Sequence, residues 1–184
     1  PYKIFVTQDL EKLQLRSLRQ LFGFLPKTKT ETIRMIVGIV SMRCRAAFMK
    51  LCLAHKILSM SDDHYVKIVV QSNWGSSAGI GADLRAILED WAEFSEVTDY
   101  CDDLVNNMTA SDNHVTFCNK LRGILQQCDF NYGKKQLEIS ATNGSGQAIH
   151  IFSALRHRNF HSLLPQVTPR VPRYKMAVYI NPYP

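Results

Sequence analysis

His114 and Cys118 stand four residues apart, as do His157 and His161. On a helix that spacing puts both side chains on one face, where they could share a metal ion. Cys52 and His55, three apart, could face together in the same way, with Cys44 two turns earlier. Neither histidine pair has a companion pair at short range, and Cys-x2-Cys does not occur. Buried thiols and hydrogen-bonded histidines are therefore the expected state, with no metal or cofactor assigned. A Cys/His catalytic pair would meet in space, not in sequence. No Gly-x-Ser-x-Gly elbow is present, and no catalytic residue is assigned. The acidic residues between 89 and 103 could chelate Mg²⁺, but a solvated helix face has the same pattern.

"NWGSSAGIG", residues 73–81, carries Gly75, Gly79 and Gly81 after an apolar run and before a helical pattern. A dinucleotide loop needs that order: a strand, glycines that admit the pyrophosphate, and a helix N-terminus facing it. This arrangement resembles the glycine signature of short-chain dehydrogenases. The Tyr-x-x-x-Lys pair of those enzymes is missing, and residues 89–107 read as acidic helix where a second strand should come. The competing expectation is a loop in which glycine supplies positive φ.

Charge gives the fuller signal. The net charge is +6, distributed as +8 over residues 1–60, −9 over 61–112 and +7 over 113–184. The basic residues Lys27, Lys29, Arg34, Arg43 and Arg45 lie in the first block, and Arg156, Arg158, Arg170, Arg173 and Lys175 in the last. Phe160 is interleaved with the second set. Such residues suit RNA phosphates with occasional base stacking, or an anionic membrane surface. Glu89, Asp90, Glu93, Glu96 and Asp99 suit a contact with another copy, since an acidic face attracts a basic one.

The elements that must position these residues follow from periodicity. With 184 residues, 46% of them hydrophobic and 21% charged, the chain can build a folded core. The longest apolar run, residues 35–42, is too short to cross a membrane. No secretory leader is visible, and the start at Pro1 implies a removed initiator Met or residues upstream. Five scattered cysteines suit a reducing, cytoplasmic setting. Residues 2–6 read as a short strand. Leu10, Leu13, Leu18, Leu21 and Leu25 predict a helix closed by Gly23 and Pro26. Thr28 and Glu31 form a capping-box pattern ahead of a long helix over 31–58, with a break near Gly38 or Ser41. Residues 64–70 read as a strand. Helices are expected over 82–94, 98–109 and 114–127. The alternation on both sides of Asn143-Gly144 predicts a hairpin, and residues 174–180 a closing strand.

The expected fold is a single α+β domain over 1–184. Its helix-rich first two thirds would be joined to a small antiparallel sheet built largely from the C-terminal third. Its parts are basic helical (1–60), acidic (61–112) and basic helix-hairpin (113–184). The size, the basic balance, the opening "YKIFV" and the late "KQLEISATNGSGQAIHIF" resemble the layout of matrix proteins of negative-strand RNA viruses, most nearly those of plant rhabdoviruses. That resemblance implies a virion protein at the inner membrane surface that self-associates and bridges nucleocapsid to membrane. The budding motifs Pro-Pro-x-Tyr and Pro-Thr-Ala-Pro are missing. The expected function is thus a non-enzymatic, self-assembling structural protein. Its partners would be itself, RNA or nucleocapsid, and an anionic membrane. The alternatives are a small nucleotide-binding enzyme using residues 75–81, and a monomeric RNA-binding module.

Overall fold

The computed structural model describes residues 2–110 and 112–143. Seven helices follow one another: α1 (Tyr2–Phe22), α2 (Thr30–Val37), α3 (Met42–Leu58), α4 (Tyr65–Ser72), α5 (Ile80–Asp90), α6 (Ser95–Val105) and α7 (His114–Thr142). No strand occurs among the described residues. The expected α+β fold with an antiparallel sheet is therefore corrected to a helical one.

Three expected strands or strand halves fail for identifiable reasons. Residues 2–6 are the first turns of α1, continuous with the leucine-rich helix behind them. Residues 65–70 form α4, with His64 as N-cap accepting from the Val66 amide at 3.3 Å. A short apolar run does not tell a strand from a helix, and this one turns as a helix with Lys67 inward. Residues 137–142 belong to α7, where Gly133 and Leu137, one turn apart, are both buried. The second half of the hairpin and the strand at 174–180 lie outside the described residues. The opening strand and the first hairpin strand expected from the sequence are thus helical here.

Helix punctuation was legible in the sequence. Gly23 (φ 66°) ends α1, and Gly38 (φ 69°) ends α2 in the left-handed region that favours glycine. Gly38 splits the long helix expected over 31–58. The capping box does not form: α2 begins at Thr30 with Lys29 as N-cap, and Thr28 is buried with its Oγ1 unpartnered.

The chain divides into two compact units, Pro1–Met42 with Asp129–Pro184, and Arg43–Cys128. In the first, Leu15 and Leu18 of α1, Phe24, and Ile33 and Ile36 of α2 form the core, with Phe22, Val37 and Ile39 against it. Glu11 closes it with polar bonds. One carboxylate oxygen accepts from Arg34 and the other from the Met42 amide at 2.7 Å. Asp129 accepts from both the Ser41 amide (2.8 Å) and the Ser41 hydroxyl (2.6 Å), capping the start of α3. In the second unit, α5 and α6 pack together. Leu51, Leu84, Trp91, Val97, Leu104, Leu121 and Leu125 are among its fully buried apolar residues.

Candidate functional site

Four of the Cys/His residues picked out by spacing come together, in the second unit. α3 supplies Cys52 and His55, and the first two turns of α7 supply His114 and Cys118. The Nδ1 atoms of His55 and His114 lie 3.3 Å apart, so one ring must donate to the other. Cys118 Sγ is 3.6 Å from His114 Nε2, and the Cys52 thiol is hydrogen-bonded to Cys118. Phe117 stacks on His55 at 4.1 Å and on Tyr100 at 5.3 Å. Tyr100 donates to Asp112, which also takes the Lys120 ammonium.

The chemistry of this cluster is that of a polar core. Burial, and then the neighbouring Cys118, push the Cys52 thiol far up. Burial pushes the Cys101 thiol up to about 12. A nucleophilic cysteine needs the opposite shift, toward thiolate. Burial first, and then His114, pull the His55 pKa below its ordinary value, while Asp112 opposes them. His55 is thus held neutral at pH 7, its Nε2 sealed in without a hydrogen-bond partner. Among the described residues no group of three or more His, Cys, Asp or Glu is placed to hold a metal ion. His157 and His161 lie outside the described residues.

The glycines of residues 73–81 have local structural work. Trp74 is buried, and its indole N–H donates to the Val105 carbonyl at 2.9 Å. Arg85 of α5 reaches back to the carbonyls of Trp74 (3.0 Å) and Ser76 (3.2 Å). Gly79 has φ 108°, and a Cβ on Gly81 would sit 2.2 Å from the Trp74 carbonyl oxygen. One glycine serves a backbone angle and the other a close approach. The loop turns carbonyls toward a guanidinium, whereas a phosphate cradle presents N–H groups. The element before it is α4, not a strand. Asp83, in the first turn of α5, is paired with Lys50 at 2.9 Å.

The residues expected to hold a polyanion separate into two kinds. Lys27 and Arg45 are exposed, and Lys29 is half-buried. Lys27 and Lys29 flank Thr28, whose carbonyl takes the Arg19 guanidinium at 3.1 Å. Arg34 lies inside the first unit against Glu11, each side chain 18% exposed, and burial lowers its pKa. Arg43 is bonded to Asp90 at 2.7 Å and lies over the Trp91 ring. Arg156, Arg158, Arg170, Arg173 and Lys175 lie outside the described residues. Glu89, Asp90, Glu93, Glu96 and Asp99 are all exposed. Val97, Cys101 and Leu104 turn the other face of α6 inward.

Sequence reasoning missed the partners that take charges out of play: Glu11 for Arg34, and Asp62 with the Met60 carbonyl for the buried Lys67. A charged residue inside an apolar run, as in "YVKIVV", was the available signal for Lys67.

The two units carry opposite charge. The described residues of Pro1–Met42 with Asp129–Pro184 hold nine Lys/Arg against five Asp/Glu, a net +4. Arg43–Cys128 holds eight against eleven, a net −3. No protein family matches this chain, and no curated protein or solved structure is similar to it.

Proposed function

We propose that this chain is a non-enzymatic, self-associating structural protein whose basic unit holds a polyanion. The division of charge between the two units is the observation that carries the reading. A unit at net +4 over its described residues attracts phosphate groups, whether of an RNA backbone or of an anionic lipid surface. Lys27, Lys29 and Lys134 supply part of that attraction from the described residues, Lys27 and Lys134 being exposed. The basic residues from Arg156 to Lys175 lie outside the described residues and would add to it by charge alone. A unit at net −3, with the outer face of α6 acidic, repels the same polyanion and attracts the basic unit of another copy. Charge supports this proposal. The five free thiols agree with a reducing, cytoplasmic setting. Among the described residues no helix is long and apolar enough to cross a membrane, so lipid contact would be at the surface.

Co-sedimentation across a salt series tests the reading, with single-stranded RNA in one arm and anionic vesicles in the other. Binding at low salt that is lost at high salt is expected, because neutralised phosphates release counterions. A chain that stays monomeric and leaves both ligands unbound at low salt contradicts it.

A further inference from the structure

Exposed large apolar residues are most numerous on two helices, three on α1 and four on α4, against two each on α3 and α7. α1 is apolar on two faces. At 3.6 residues per turn, Leu15, Leu18 and Phe22 fall within an arc of about 60°, turned into the first unit's core. Leu10, Leu13 and Leu21 fall within another arc of about 80° on the far side. All three are exposed, Leu13 at 61% and Leu21 at 75%. Asp9 and Arg16, both exposed, lie on one side of this outer stripe, and Lys12 is paired with Asp9 at 3.1 Å. α4 is built inside out. Its buried residue is Lys67, tied to Asp62 and the Met60 carbonyl. Tyr65, Val66, Ile68 and Val69 form a contiguous exposed arc of about 160°, with Tyr65 at 77%. The exposed acids Asp62 and Asp63 lead into that arc.

We infer that these two faces are the two halves of one interface. The outer leucine stripe of α1 in one copy packs across the apolar arc of α4 in a second copy. This inference rests on the self-association reading above and names its contact. Three observations select a second copy as the occupant. Each chain carries one face of each kind, so every copy has both the donor and the acceptor. The units that carry the two faces are opposite in charge over their described residues, net +4 for that of α1 and net −3 for that of α4. The lengths also match: α4 is about 12 Å long, and Leu10 to Leu21 spans about 16 Å. Because the two faces differ, the contact is heterologous. Copies add head to tail, and growth stops only if the rotation closes a ring.

Heterologous contacts permit a complementation test on the full chain. Leu13→Glu blocks the α1 face and leaves α4 intact; Ile68→Glu does the reverse. Both sites are exposed, and circular dichroism checks that each variant keeps its helix content. In sedimentation velocity over a concentration series, the wild type is expected to form a ladder of species. Each variant alone should associate at least roughly tenfold more weakly. An equimolar mixture should form a dimer and nothing larger, since each dimer is capped at both ends. Assembly of both variants like the wild type overturns the contact while self-association stands. A wild type that is monomeric at every concentration overturns self-association too. Monomers that stay monomeric when mixed overturn the pairing of these two faces. If residues 144–184 of the same chain cover α4, the wild type is monomeric and Ile68→Glu lowers its stability, which also overturns the inference.

Discussion

Acidification should destabilise the Arg43–Cys128 unit through His55. The ring is 1% exposed, stacked on Phe117, with its Nδ1 against His114 and Ser59 (3.2 Å). Burial lowers its folded pKa, and His114 lowers it further. The unfolded chain titrates His55 near 6.5, so between the two pKa values the unfolded state binds the extra proton. His55's contribution to stability is therefore fully present above pH of about 6.5 and is lost as pH falls toward the folded value. One excess proton makes the slope approach about 1.4 kcal/mol per pH unit, so one unit of acidification inside the window removes about that much. Trp74 and Trp91 both lie in this unit, so urea unfolding followed by tryptophan fluorescence reports on it. His55→Phe keeps an aromatic ring beside Phe117 and removes the titrating group. The wild type should lose stability as pH falls below about 6.5, and the variant should show a flatter profile there. Equal slopes in the two proteins, or a flat wild-type profile, would refute the assignment to His55.

Gly81→Ala should cost about 1–3 kcal/mol, because its Cβ would meet backbone that cannot step aside. Gly75→Ala, with open space around it, should be neutral or stabilising by about 0.5 kcal/mol. Urea denaturation of the two variants separates a packing role for Gly81 from general loop flexibility. Glu11→Ala removes acceptors from both Arg34 and the Met42 amide. With both side chains 18% exposed, the loss should be roughly 2–4 kcal/mol. Circular dichroism melts should show it as a clear drop in Tm. In polyanion binding, the slope of log K against log salt should scale at about −0.7 per phosphate neutralised on single-stranded RNA. Lys27→Gln should reduce that slope by about one such increment, measured by fluorescence anisotropy.

What could be read from the sequence was local punctuation and period. Gly23 and Gly38 mark real helix ends, and α5 and α6 sit where apolar spacing puts them. The strands failed because runs such as "YKIFV" and "YVKIVV" satisfy both periods over so few residues. In α1 the sequence holds two leucine stripes, and spacing alone does not say which is buried. Leu15 and Leu18 went inward; Leu10, Leu13 and Leu21 did not. The Cys/His cluster was half legible. Intrahelical spacing paired Cys52 with His55 and His114 with Cys118. Their meeting across α3 and α7, and the Phe117–Tyr100 stack around them, are tertiary facts. Arg34 was read as a surface cation because its partner Glu11 lies twenty-three residues earlier, on another helix.

Lysine-acetylation footprinting of the full chain, with and without saturating single-stranded RNA, tests the division of charge most directly. Protection is expected at Lys27, Lys29, Lys134 and Lys135 of the basic unit, with Lys56 and Lys120 of the acidic unit still reactive. Protection concentrated at Lys56 and Lys120, or no protection anywhere at low salt, would contradict the assignment of the polyanion to the basic unit.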